Sequence, residues 1–464
     1  MRAGMDVARL NFSHGTHDDH ALVIKRIREA SARLSKPIGI LADLQGPKIR
    51  TGLLKGRQPV QLVAGQRFTI SIKPVAGTAE GVSTTYKRMA RDVSRGDRIL
   101  LGDGLIELHV LSTTSTEVQC KVINGGLLGE NKGINLPGVK LKIPAVTAKD
   151  HKDLVFALEQ GANFIAVSFV RDAKDVMQAK KAILQAKHDI PVIAKLEKPE
   201  AIEHLDEILN VADAVMVARG DLGVEMSPEK VPVVQKQIIA RACEARRPVI
   251  TATQMLESMT QNPRPTRAEA SDVANAVFDG SDALMLSAET ASGAYPLEAV
   301  EMMDRIIREA EANNSHVLRP CPAQFNIAET ASELICHASE ELHMKVIAVF
   351  TETGNTARMI SKYRPRVSIY AFSHNGPVCN RMNLFWGVHP VRRREQARSA
   401  EDMVNTAERE LLHHGKLKPG DVLGVVAGTQ MASGSTNFMR LHTVPEPVTG
   451  GGERRRRARK SGKK

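Results

Sequence analysis

Short β-branched or apolar runs alternate with helix-length stretches through residues 150–312, and this alternation constrains the fold more than any other feature of the chain. The runs lie at 164–167, 191–194, 214–217, 248–251 and 283–286. Between them fall stretches of helical length at 199–210, 231–246 and 266–279, with glycines such as Gly161 and Gly280 where helices should end. Alternation of this kind predicts parallel βαβ units. Two earlier runs, 7–10 and 38–41, bring the strands to seven, and a closed (β/α)8 barrel needs eight.

Residues from about 47 to 145 read differently. Hydrophobic alternation is short there, and Gly, Pro and Thr punctuate it densely, so the segment predicts a small all-β insertion after one barrel strand. Residues from about 325 to 445 return to α/β alternation, with strand-like runs at 346–350, 368–371 and 422–426. Pro320 and Pro322 mark the boundary before them.

The polar residues at the ends of the apolar runs point to chemistry. Arg9 and Asn11 come after the first and Asp43 ends the second; Ser168 and Arg171 come after the third. The later runs lead to Lys195 with Glu197, Arg219 with Asp221, Thr253 with Gln254, and Ser287 with Glu289. In a parallel barrel these positions converge on the C-terminal face, where such folds keep their active sites. One polar residue after one strand is an ordinary helix cap. A whole ring mixing cations with carboxylates suits a divalent metal and an anionic substrate held together. Glu197 and Asp221 are the pair that fits Mg²⁺, and the tight Ala218-Arg219-Gly220-Asp221 turn offers backbone N–H groups to a carboxylate.

Composition narrows the alternatives. With 464 residues, 42% hydrophobic and 25% charged, the chain has the length for about three domains and material for a large core. No apolar run approaches the ~20 residues of a membrane span, and the first residues carry no signal-peptide core. Five scattered cysteines without a Cys-x-x-Cys pair argue against disulfide frameworks and zinc sites, and a reducing cytoplasm is the expected location. The net charge of +12 suggests nucleic acid at first sight, but +7 of it belongs to residues 453–464 and only +5 to the rest. Aromatics at 3% are poor material for stacking bases, so a solvated tail is expected after residue 445 and nucleic acid is not.

At these same residues the chain resembles the pyruvate kinase family. The resemblance is carried by Ala8-Arg9-Leu10-Asn11-Phe12-Ser13-His14-Gly15, by Lys195-Leu196-Glu197, and by Met216-Val217-Ala218-Arg219-Gly220-Asp221-Leu222-Gly223. It continues through Ala252-Thr253-Gln254-Met255-Leu256-Glu257-Ser258-Met259, Asn262-Pro263-Arg264-Pro265-Thr266-Arg267 and Leu286-Ser287-Ala288-Glu289-Thr290. It covers about residues 1–445. It implies an α/β chain: a TIM barrel (residues 1–46 and 147–319) whose first strand and helix are missing here, an inserted all-β lid (47–146), and a C-terminal α/β domain for effector binding and oligomerisation (320–445). A basic tail (446–464) would complete the chain.

The resemblance also implies roles. Arg9 and Lys195 would contact the phosphoryl group passing from phosphoenolpyruvate to ADP, leaving pyruvate and ATP. Glu197 and Asp221 would hold Mg²⁺ or Mn²⁺. Ala218, Arg219, Gly220, Asp221 and Thr253 would bind the substrate carboxylate. Asn11, Ser13, His14, Arg50 and Lys132 would meet the nucleotide, and Asn11, Ser13, Asp43 and Leu44 form the monovalent-cation position. Thr253, Ser287 and Glu289 could run a water relay that protonates the enolate, or Thr253 could serve substrate binding alone. The family is usually a homotetramer.

Three departures qualify the resemblance. Many relatives carry glutamate where Lys48 stands and threonine where Leu44 stands, and those forms need potassium. An ammonium at Lys48 can replace that charge, so no potassium requirement is expected; the alternative is a merely solvated lysine. The family's first strand has no counterpart here, so either translation starts further upstream or the chain folds poorly. Finally, Thr351-Glu352-Thr353-Gly354-Asn355-Thr356-Ala357 resembles a loop for a phosphorylated effector, or is a helix start capped by Thr353 or Asn355. Two rival readings are a phosphoenolpyruvate-using lyase or carboxylase on the same barrel, and an inactive relative binding RNA through its tail.

Overall fold

In the computed structural model, residues 1–314, 326–397, 399–428 and 436–446 are described. Pro320, Pro322, Cys321 and the basic tail from 447 onward lie outside them. The described residues fall in two compact units. One holds residues 1–314 with Asn383–Trp386; the other holds the described residues from 326 to 382 and from 387 onward.

Seven strands of the first unit form one all-parallel sheet in sequential order: β1 (Val7–Asn11), β2 (Gly39–Asp43), β3 (Phe164–Val167), β4 (Val192–Leu196), β5 (Ala214–Ala218), β6 (Val249–Ala252) and β7 (Ala283–Met285). They form where the apolar runs stand, because a strand covered on both faces is apolar along its whole length. One face packs on helices: Leu10, Ile40, Ala42, Ile165, Val167, Val192, Val215 and Val249 share a core with Ile24, Leu154, Ile183, Ile208 and Ile238. The other face closes on itself through Leu41, Phe164, Ala166, Ile193, Met216, Ile250 and Ala252.

This inner set plants the polar residues. Side chains two apart on a strand share a face. Leu41 is therefore followed inward by Asp43, Ile193 by Lys195, and Val7 by Arg9. The register supports this, since Asn11 pairs with Asp43 and Ala166 with Asp43 on the other side. An apolar plug thus ends in a layer of charge.

The helices after β1 and β6, and the one that returns from the insertion, each begin with a capping box: Thr16 with Asp19, Thr266 with Glu269, and Thr147 with Asp150. The expected helix at 199–210 is broken at His204 into Pro199–Glu203 and Leu205–Val211. The insertion between β2 and β3 holds a six-stranded and a two-stranded sheet around its own core of Phe68, Ile70, Leu101, Leu108, Val118 and Val122.

The second unit carries a five-stranded sheet of β8 (Val346–Phe350), β9 (Ser368–Ser373), β10 (Val388–Arg392), β11 (Val422–Gly428) and β12 (Thr436–Thr443), ordered β10-β9-β8-β11-β12. β10 and β12 are absent from the strand pattern read in the sequence. β10 contains Pro390, which an edge strand tolerates because one side of it needs no donor. β12 alternates half-buried and exposed residues after the buried Thr436 and runs antiparallel to β11.

Asp150 ties the insertion to the barrel. Its buried carboxylate accepts from Gly46 N (3.0 Å), Thr147 N (2.8 Å) and Thr147 Oγ1 (2.6 Å). Gly46 opens the insertion with φ +67°, and a Cβ there would sit 2.9 Å from Ser168 Cβ. Asp150→Ala strands these donors and is expected to destabilise the first unit by about 2–4 kcal/mol. Asp150→Asn, which keeps an acceptor, should lose less; urea unfolding of both variants checks the order.

Candidate active site

Lys195 is the centre of the charged layer. Its Nζ donates to Ser168 Oγ at 2.8 Å and lies 2.8 Å from Glu197 Oε1 and 3.2 Å from Asp43 Oδ1. Ser168 passes its own hydroxyl hydrogen to the Leu44 carbonyl at 2.8 Å. Arg9 reaches Asp43 from β1, its Nε 2.8 Å from Oδ2. Asp43 and Glu197 are 1% and 0% exposed, and Lys195 only 8%. Burial penalises each charge, so each persists only through its partners. For Lys195, burial works against the charge, but Asp43 and Glu197 outweigh it and raise the pKa above the ordinary lysine value. For Asp43, burial pushes upward, yet Lys195 and Arg9 bring its carboxyl below the usual range.

Glu197 behaves differently. Burial, with the nearby Asp221 charge added, pushes its pKa up despite Lys195. Its Oε2 accepts from Phe169 N at 2.7 Å. Its Oε1 and Asp43 Oδ1 accept no aligned hydrogen bond among the described residues, although the ammonium is near both. Two carboxylates that repel, one with a buried oxygen left open, fit a divalent cation, which takes one or two carboxylates and leaves its other positions to substrate and water. No cluster of three or more His, Cys, Asp or Glu side chains able to hold a metal occurs among the described residues.

The far side of the barrel mouth supplies hydroxyls. Thr253 Oγ1 accepts from Gly220 N at 2.7 Å, so the Ala218–Asp221 turn and Thr253 meet. Arg219 turns its guanidinium onto protein groups: Asp272 Oδ1 at 2.7 Å and the Thr253 carbonyl at 2.8 Å. Glu289 is fully buried, and its oxygens accept from Leu256 N at 3.1 Å and Ser287 N at 2.6 Å. It therefore anchors the segments bearing Thr253 and Ser287.

The remaining candidates form two groups. Asn11 Oδ1 accepts from Ser13 N at 3.1 Å and His14 N donates to Asn11 O, giving a tight turn past β1. Arg50 bridges to Gly133, and Thr51 N donates to Lys132 O at 2.8 Å, so Arg50 and Lys132 neighbour one another in the insertion. No hydrogen bond or ion pair among the described residues joins that pair to the Asn11–His14 turn. Lys48 is exposed and lines, with Asp221 and Arg171, a cleft of about 70 Å³ between insertion and barrel. Across it Asn135 Nδ2 donates to Glu225, which is ion-paired with Lys198 at 2.7 Å. In the second unit, Thr353 Oγ1 accepts from Asn355 N at 3.4 Å at the start of the helix Asn355–Lys362.

Sequence reasoning overlooked Asp150, Phe169 and Asp272, which act on neighbours. Phe169 stands in left-handed backbone (φ +56°) directly after Ser168, which aims its N–H at Glu197. Only the capping-box spacing Thr147-x-x-Asp150 was a readable signal.

Fold and site together define an enzyme of the barrel class, working at the strand C-termini beside an inserted β domain. The family model described as "Pyruvate kinase, barrel domain" matches residues 1–300, and "Pyruvate kinase, alpha/beta domain" matches residues 329–442. The chain belongs to the pyruvate kinase family. It is 44% identical to the pyruvate kinase of Bacillus licheniformis over 458 residues and to that of Geobacillus stearothermophilus over 461 residues, in each case 97% of this chain and 78% of the relative. A pyruvate kinase of Staphylococcus epidermidis is 43% identical over 458 residues, with the same coverage. No helix among the described residues is long and apolar enough to cross a membrane.

Lys195→Met removes the ammonium between two buried carboxylates and is expected to destabilise by about 3–5 kcal/mol near neutral pH. The loss depends on pH in a definite direction. Without Lys195 the folded-state pKa of Glu197, already raised, rises further, and that of Asp43 rises as it loses one of the two cations that lower it. The folded state then binds protons preferentially as pH falls, and the deficit shrinks. Urea unfolding at pH 8 and pH 5 measures this; a deficit that widens on acidification contradicts the assignment.

Proposed function

We propose that this chain catalyses phosphoryl transfer from phosphoenolpyruvate to ADP, giving ATP and pyruvate in glycolysis, in the cytoplasm. The observation that carries the site assignment is the buried Lys195, held among Asp43, Glu197 and Ser168 at the barrel mouth with Asp221 close enough to perturb Glu197. Phosphoryl transfer asks a protein mainly for positioning and for charge neutralisation at the equatorial oxygens. Lys195 and Arg9 supply two cations on one side. The Gly220 region and Thr253 hold the substrate carboxylate on the other.

Glu197 and Asp221 would hold a Mg²⁺ or Mn²⁺ ion. When bound, that ion withdraws negative charge from the phosphoryl and enolate oxygens. The Asn11–His14 turn, Arg50 and Lys132 receive the nucleotide phosphates as the inserted domain closes, and closure excludes the water that would compete with ADP. The enolate left behind gains a proton at carbon through the Thr253 and Ser287 hydroxyls and ordered water, with Glu289 fixing their turn. The Thr351–Ala357 segment takes a phosphorylated effector, and the working form is a homotetramer.

Two tests address the finer points. Mg²⁺ at about 100 times its Kd should stabilise the wild-type chain by about 2.7 kcal/mol, and Glu197→Gln should abolish most of that gain. Thermal melting with and without Mg²⁺ reads this independently of turnover. Lys48 replaces a monovalent cation beside the nucleotide phosphates. Turnover coupled to lactate dehydrogenase should therefore be insensitive to added potassium, and Lys48→Glu should create a manyfold potassium dependence. Strong potassium activation of the wild-type chain would refute the role of Lys48.

A further inference from the structure

Thr253 (φ +71°) and Gln254 (φ +52°) hold left-handed backbone one after the other, just past β6. Neither is glycine, and Thr253 is β-branched, the residue type that resists this region most. Consecutive residues of this kind persist only where their surroundings over-determine them. Here one side chain does so. The Arg219 guanidinium donates through Nε to Ala252 O at 3.3 Å, through Nη2 to Thr253 O at 2.8 Å, and reaches Gln254 O at 3.5 Å. Three successive carbonyls of the turn thus converge on one planar fork. Its Nη1 is fixed from behind by Asp272 at 2.7 Å.

The next residue completes the grip. Gly220 N donates to Thr253 Oγ1 at 2.7 Å, and that hydroxyl donates to Ala252 O at 2.6 Å. Arg219 therefore holds the main chain of Thr253 while its neighbour in sequence holds the side chain. A lysine would carry the charge but could not span three acceptors, since it lacks the rigid fork.

We propose that Arg219, oriented by Asp272, is a positioning residue that fixes the strained main chain bearing Thr253 at the barrel mouth and acts only through Thr253. This rests on the role given to Thr253 above. A misplacement of the order of 1 Å at a reacting group costs roughly a hundredfold in rate.

The test is a double-mutant cycle on the purified full chain, using Thr253→Ala, Arg219→Lys and their combination. Arg219→Lys is expected to lower kcat roughly ten- to a hundredfold with the KM for ADP unchanged, and to add little in the Thr253→Ala background. Multiplicative losses, or full turnover in Arg219→Lys, overturn the proposal. Asp272→Asn keeps the guanidinium and serves if Arg219→Lys melts early; its loss should likewise vanish beside Thr253→Ala, and full turnover or a multiplicative loss again overturns the proposal. Thr253→Ala with undiminished kcat removes the role of Thr253 itself and the proposal with it. An impaired Thr253→Ala combined with multiplicative losses removes the Arg219 clamp alone.

Discussion

A lysine cannot be buried alone, and the architecture of the barrel mouth is a consequence of that. Lys195 stands on an inward-facing position of β4, one layer above the apolar plug, so its charge must be met within the barrel. Asp43 and Glu197 meet it from β2 and from the end of β4. Asp43 in turn is shared with Arg9, so four strand-end side chains depend on one another. With Asp221 counted, two cations face three carboxylates. The site is short of positive charge by one, a balance that suits it to take up a further cation. Burial raises Glu197, with the Asp221 charge adding to it, whereas Lys195 and Arg9 together lower Asp43, so the two buried carboxylates are held in different electrostatic states.

The inserted domain inherits its placement from the same region. Gly46 opens it against Ser168, the residue that also accepts from Lys195. Asp150 fastens that opening to the first turn of the helix by which the chain returns to the barrel. Entry and exit of the insertion are thus joined by one carboxylate. Asn135 then reaches back to the buried Glu225–Lys198 pair, whose Glu225 closes the helix that carries Asp221. The cleft between insertion and barrel is framed by charges already fixed on the barrel side.

The barrel strands were legible because covered parallel strands must be apolar throughout, and a run of four to five such residues has few other readings. The strand-end candidates were legible for the same reason, since a polar residue directly after such a run stands out. What stayed hidden was anything whose signal is spatial. Asp272 lies mid-helix among ordinary polar residues, and only the approach of Arg219 gives it a role. β10 was masked by Pro390, and β12 by a residue order that follows no polar–apolar period of two, with Met439 and Leu441 among its exposed positions. Arg219 was placed near substrate by its neighbours in sequence, whereas its donors are spent on protein carbonyls and a carboxylate.

Glu289 extends that lesson to the proton-transfer side. From sequence it stands among possible acid–base groups. In the fold it is a fully buried carboxylate whose two oxygens are engaged by the amides of Leu256 and Ser287. Such an acceptor binds two backbone segments together better than it shuttles a proton, because a shuttle must surrender one of those bonds each time it is protonated. The segment from Thr253 to Leu256 is therefore pinned at both ends, by Arg219 at its strained start and by Glu289 at its close. The strain at Thr253 and the burial of Glu289 are two parts of one device. A hydroxyl is held in an unfavourable backbone by neighbours that fix the chain on either side of it, and the barrel mouth keeps its shape.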